Sequence, residues 1–210
     1  MTSLGRFISV EGGEGVGKST QIAALAAAIR QRGHTVVVTR EPGGTSGAEA
    51  IRQLLLTGAD GKWAPRAEAL LFAAARSDHV ERLIRPAIAA GTWVISDRFL
   101  DSSRAYQGGG SGLYDDDIMT LHRIASKGFL PDRTLVLELA GDEAARRAAE
   151  RDDNIHDRIG GRDTEFHAHV AAAFQRFAAQ DPARVRLVDA YGSAAEVTNR
   201  LLSEVSDLLI

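Results

Sequence analysis

The 210-residue chain has no cysteine, two methionines and two tryptophans, and only three of its 25 basic residues are lysines, at 18, 62 and 127. Without cysteine there is no disulfide and no thiolate metal site, which is compatible with a reducing compartment. No apolar run approaches the roughly 18 residues of a membrane-spanning helix, and the N-terminus runs straight into a first strand without a signal-peptide pattern. Net charge is −3, so overall charge does not favour non-specific nucleic-acid binding. There is no N-K-x-D or T-K-x-D guanine reader, which counts against a signalling GTPase. What remains, 44% hydrophobic and 25% charged residues, suits one soluble globular domain with a full core. In so arginine-rich a chain a single arginine says little, and a lysine says more.

Lys18 is that lysine. Gly12, four residues, then Gly17-Lys18-Ser19 fits the phosphate-loop spacing G-x4-G-K-[ST]. The apolar run Phe7–Val10 before it predicts a buried strand, and Gln21–Arg30 after it predicts a helix. Strand, glycine loop and helix N-terminus come in the order needed for backbone N–H groups and the helix dipole to converge on phosphate. The spacing therefore assigns Gly12, Gly13, Glu14, Gly15, Val16, Gly17, Lys18, Ser19 and Thr20 to a nucleoside triphosphate, with Lys18 on the β- and γ-phosphates and the Ser19 hydroxyl on Mg2+.

Four further apolar runs predict strands at 35–39, 92–96, 132–139 and 185–188. Helices are predicted at 48–56, 66–90 with Pro86 as a kink or join, 114–126, 142–151, 166–179 and 194–209, and glycines 108–112 read as a flexible run. This alternation implies right-handed βαβ crossovers, a five-stranded parallel sheet covered on both faces, and ligands beyond the strands' carboxyl ends. Those ends carry Glu11, Arg40-Glu41 and Asp97-Arg98. An Asp-Arg pair there suits a small-molecule kinase, with Asp97 near Mg2+ or the acceptor and Arg98 on the acceptor's phosphate.

Together, residues 7–21, Thr39-Arg-Glu-Pro-Gly-Gly-Thr45, Leu71-Phe-Ala-Ala-Ala-Arg76, Asp97-Arg98 and Ala105-Tyr-Gln-Gly-Gly-Gly110 resemble the bacterial thymidylate kinases over nearly the whole chain. The resemblance implies a phosphate-loop NTP hydrolase-like three-layer α/β fold with a mobile lid at about 141–165, within a single nucleoside monophosphate kinase domain spanning 1–210. It implies transfer of the γ-phosphoryl of ATP to dTMP, giving dTDP and ADP in dTTP synthesis, with Mg2+, a homodimer and a cytoplasmic setting. Phe72 then stacks on thymine, Arg76 donates to a base carbonyl, Arg98 binds the dTMP phosphate and Tyr106 crowds C2′ of the sugar. Ser103 and Gln107 line the base and sugar. Glu41 and Pro42 lie beside the acceptor with Arg40 near them, and Glu14 holds the 3′-hydroxyl, as suits a carboxylate that would repel triphosphate.

Family members without a basic residue in the phosphate loop supply the transition-state arginine from the lid. This chain has Gly15 at that loop position and Arg147, Arg151, Arg158 and Arg162 in the lid, with Arg158 the first candidate and Arg151 the second. The family often has Glu where this chain has Gly160. Alternative readings are a kinase of another nucleoside monophosphate or deoxynucleoside, or a non-enzymatic nucleotide switch.

Overall fold

The computed structural model describes residues 5–58, 61–139 and 163–209. β1 (Phe7–Gly12), β2 (Val36–Arg40), β3 (Trp93–Asp97), β4 (Arg133–Glu138) and β5 (Val185–Asp189) form one parallel sheet in the order β2-β3-β1-β4-β5. β1 is central and every strand is parallel to its neighbours, so all carboxyl ends lie at one edge. The register pairs Asp97 with both Val10 and Arg40, and Gly12 with Leu137, which gathers the predicted charged ends together.

Side-chain alternation along β1 assigns the two faces. Ile8 and Val10 pack with Leu25 and Ile29 of α1 (Lys18–Gln31) and with Leu201 of α8 (Ala194–Ser203). Leu25, Ile29 and Leu201 are fully buried, each worth about 2 kcal/mol of apolar burial. Phe7 points the other way, into a cluster with Phe99, Leu100 and Ile118 beneath α3 (Pro65–His79), α5 (Leu100–Ser103) and α6 (Asp115–Ser126). α7 (Thr164–Gln180) adds Phe166, Phe174 and Phe177 to that side. α2 (Ser46–Leu56) is capped by Thr45, whose hydroxyl accepts from Ala48 N.

Three predicted elements differ from what forms. The single helix over 66–90 is α3, then a wide π turn at Val80–Ile84, then α4 (Arg85–Ala89). Pro86 has no N–H to give a normal helical turn, and the chain widens just ahead of it, with Arg85 N donating to Val80 O five residues back. The glycine run is not a flexible loop, because Arg104–Gly110 is a π turn continuing α5. Its glycines permit close packing: a Cβ on Gly110 would lie 2.2 Å from the Phe166 ring of α7. The predicted last helix also stops at Ser203, with a separate 3-10 turn at Ser206–Leu208.

The expected helix at 142–151 and the arginines 147, 151, 158 and 162 lie outside the described residues. Of the expected lid, Asp163, Thr164 and Glu165 instead begin α7, with the Asp163 side chain capping Phe166 N. Among the described residues no helix is long and apolar enough to cross a membrane.

Candidate active site

The phosphate loop follows from its glycines. Gly12 has φ 132°, and a Cβ there would meet Leu137 O of β4 at 2.6 Å. Val16 turns inward to the core, which leaves backbone amides for the concave side. Gly17, at φ 89°, caps α1, and Lys18, Ser19 and Thr20 form its first turn. Lys18 Nζ donates to Gly12 O at 3.1 Å and Gly13 O at 2.5 Å. Burial, aided by the Arg98 charge, pushes the Lys18 ammonium down to about 7, against the pull of Asp97, Glu11 and Glu14.

Facing the loop, Asp97 ends β3 and Arg98 begins the turn into α5 with a left-handed φ of 68°. Such a conformation costs an L-residue roughly 1–2 kcal/mol. It is held by Arg98 N to Val10 O (3.0 Å), Ser96 Oγ to Arg98 O (2.7 Å) and Phe99 N to Glu11 Oε1 (2.8 Å). Arg98 Nη1 donates to Ser102 Oγ at 3.1 Å, and its guanidinium lies 4.8 Å from the Tyr106 ring centroid. Burial opposes its charge, but Tyr106, Asp97 and Glu11 outweigh that and hold the guanidinium above its ordinary pKa.

α3 and the helical segment 100–110 run antiparallel and are cross-linked by side-chain hydrogen bonds. Gln107 Nε2 donates to Glu68 Oε1 at 2.9 Å, and eight residues along α3 Arg76 Nη2 donates to Ser103 Oγ at 2.8 Å. Phe72 sits midway and remains half-buried. Arg76 is nearly inaccessible: Nε donates to Glu41 Oε2 at 2.8 Å and Nη2 also reaches Phe99 O at 3.2 Å, which leaves Nη1 without a hydrogen bond among the described residues. Glu41 and Pro42, joined by a cis peptide bond, are buried at the start of the β2–α2 loop. Arg40 behaves differently from its neighbours. It is exposed and pairs with Glu49 at 3.2 Å, away from Glu41.

Glu11 is fully buried immediately before the loop, accepting from Phe99 N and from the Ser102 hydroxyl. Burial and the Asp101 charge push its carboxyl up to about 7, against Ser102, Arg98 and the Phe99 amide. The folded state therefore holds a proton that the unfolded chain has released above its own value of 4.5, and stability falls as pH rises toward about 7. Glu11→Gln does not ionise. Between about pH 5 and about pH 7 the wild type should lose roughly 2 kcal/mol relative to this variant in urea unfolding. Lys18 titrates in its own window above about 7 and stays out of that range. Parallel pH profiles for the two proteins would refute the assignment.

Of the residues singled out by sequence, the phosphate loop, Asp97, Arg98 and Tyr106 converge at one edge, and Glu41, Arg76, Ser103 and Gln107 are buried beside the contact of α3 with segment 100–110, with Phe72 half-buried on α3. Glu68, His79, Asp101 and Ser102 belong to none of the motifs legible in the sequence. All four are buried. The available signal was charge at helical spacing: Glu68 and His79 lie four before Phe72 and three after Arg76 on α3.

The chain matches the family model described as thymidylate kinase over residues 10–201. A thymidylate kinase of Rhizorhabdus wittichii is 63% identical over 205 residues, 98% of this chain and 99% of that one. One from Bradyrhizobium sp. is 44% identical over 206 residues, 98% and 91% of the two chains. The crystal structure of thymidylate kinase from Ehrlichia chaffeensis superimposes with a TM-score of 0.77 at 29% identity, covering 96% of this chain and 98% of that one.

Proposed function

Because the chain belongs to the thymidylate kinase family, we infer that it transfers the γ-phosphoryl of ATP to dTMP, giving dTDP and ADP. The observation that carries this reading is that the phosphate loop and Asp97-Arg98 lie at the carboxyl ends of two neighbouring strands in a chain matched to the family over residues 10–201. In this reading the loop amides and Lys18 hold the β- and γ-phosphates. Arg98 binds the acceptor phosphate, supported by its Ser102 and Tyr106 contacts. Phe72 stacks on thymine, with Ser103 and Gln107 beside it. The remaining Nη1 of Arg76 donates to a base carbonyl, which cytosine's amino group at that position would repel. Glu14 takes the 3′-hydroxyl and Tyr106 crowds C2′. Arg158, and after it Arg151, is the candidate for the arginine that meets the transferred phosphoryl group.

Mg2+ fits the residues present. Asp97 Oδ1 is buried without a partner among the described residues, and Ser19 exposes its hydroxyl on the first turn of α1. One carboxylate, one hydroxyl and substrate phosphates are a usual set for this ion. When bound, it neutralises charge between the β- and γ-phosphates. The reading also includes the cytoplasmic setting and homodimer of the family resemblance. The candidate contacts are α3, with Leu70 exposed, and α6, with Ile124 exposed.

The test is ADP release with dTMP, dUMP, UMP, dCMP, AMP and GMP offered separately, with and without EDTA, on a preparation whose sedimentation velocity is also recorded. Turnover should be dominated by dTMP, by about 100-fold or more over the purine nucleotides, should require the divalent ion, and should come from a dimer. A flat acceptor profile withdraws the roles of Phe72, Arg76 and Tyr106. Triphosphate binding without acceptor-dependent turnover returns the chain to a nucleotide switch, and a monomer at micromolar concentration removes the dimer.

A further inference from the structure

A buried polar chain runs from Thr39 through His79 to Glu41 and Arg76, and Thr39 and His79 lie outside the residues read as touching substrate. Thr39 Oγ1 and His79 Nε2 are 2.8 Å apart, and His79 Nδ1 and Glu41 Oε1 are 3.0 Å apart. Glu41 Oε2 takes Arg76 Nε at 2.8 Å. His79 is 0% exposed, Glu41 6% and Arg76 3%. Arg76 and His79 are three apart on α3, so one turn of helix presents both to the two oxygens of a single carboxylate.

The chemistry of the groups orders this chain. An ionised carboxylate only accepts, so the proton lies on His79 Nδ1. The Thr39 hydroxyl can donate to or accept from Nε2 and serves as the far anchor, fixed to β2. A second observation ties the relay to the acceptor loop. A Cβ on Gly44 would come within 2.4 Å of Thr39 Oγ1 and 2.6 Å of His79 Nε2, so the loop carrying Glu41 and Pro42 is seated directly on the Thr39–His79 pair.

We propose that His79 is a positioning residue for acceptor selection: it fixes the Glu41 carboxylate and, through it, the direction in which the Arg76 guanidinium meets the base. Without the imidazole, Glu41 is held at one oxygen, and Arg76 keeps Phe99 O, Ser103 and the face of the Phe99 ring as its other restraints. The base carbonyl then meets a donor that is present but no longer aimed.

This rests on the dTMP reading above. The test compares His79→Leu, which removes both nitrogens, with His79→Asn, whose amide can restore a donor to Glu41. Kinetics with dTMP and dCMP are recorded at varied ATP. The Leu variant should raise KM for dTMP by about 10- to 100-fold and reduce the dTMP-to-dCMP preference by at least about tenfold. KM for ATP should stay within about twofold, and the Asn variant should recover most of both losses. Thr39→Val, which keeps the His79–Glu41 pair, should shift the same two quantities in the same direction by less, and it gives a readout even where the Leu variant does not fold. An unchanged dTMP-to-dCMP preference, or KM values for ATP and dTMP that rise together, overturns the proposal. Wild-type enzyme that does not turn over dTMP defeats the functional reading before any variant is compared.

Discussion

Arg98→Ala should lower kcat/KM for dTMP about 1000-fold, or roughly 4 kcal/mol of transition-state stabilisation. The expectation follows from how much structure is committed to aiming one guanidinium. The backbone at Arg98 is left-handed, and three hydrogen bonds from β1, β3 and Glu11 hold it there. Ser102 fixes one guanidinium nitrogen and the Tyr106 ring lies against its face. Alanine accepts the same φ at a similar steric cost, so the loss should be catalytic, with the unfolding midpoint little changed. Arg98→Lys keeps the charge but not the planar fork that matches a phosphate dianion, and should recover only part of the rate. Steady-state kinetics with both variants decide the matter. An Ala variant within tenfold of the wild type would mean that the acceptor phosphate is held by other residues.

Asp101→Ala should be the most damaging single change to stability, at about 3–5 kcal/mol with a fall in Tm of about 10 °C. Asp101 is fully buried and accepts from Arg104 Nη1 (3.0 Å), Arg184 Nη1 and Nη2 (2.5 and 3.2 Å) and Thr134 Oγ1 (3.1 Å). Burial alone would raise its carboxyl, but Arg184 and Arg104 prevail and hold it below the ordinary aspartate range. Removing the acid leaves two poorly exposed guanidinium groups short of a counter-charge. Arg104 keeps Asp115, and Arg184 keeps Asp181. Asp101 also joins α5 to β4 and to the turn before β5, so the loss should loosen the segment carrying Ser102 and Ser103. Combining Asp101→Ala with Arg184→Met should be markedly less than additive, because the second change removes the group that the first strands. A single-variant cost below about 1 kcal/mol, or strict additivity, would show that the network is solvated rather than structural.

The fold was readable where short-range chemistry decides it. The run Phe7–Val10, the spacing of Gly12, Gly17, Lys18 and Ser19, and four more apolar runs separated by helical sequence were enough for a parallel sheet with a phosphate loop at its centre. Where reading failed, the deciding partner was distant in sequence. Glycines 108–110 look like a hinge until Phe166 and Ala173 are brought against them. His79 has nothing local to mark it within the predicted helix until Glu41 and Thr39 are folded onto its two nitrogens.

By itself the sequence determined the phosphate-loop spacing and the order of the five strands, because both rest on residue types at fixed local spacing, which backbone geometry turns directly into structure, and its resemblance to known members gave the family. The tertiary structure alone decided which charges share a site and which only hold it. Glu11, Glu41, Asp101 and Glu68 are all acidic side chains with nothing local to tell them apart. Folding brings Glu11 to the turn that aims Arg98, Glu41 to Arg76 and His79, Asp101 to two arginines and Glu68 to Gln107. A buried charge takes its role from its partner, and each of these partners comes from a distant segment or another turn of helix.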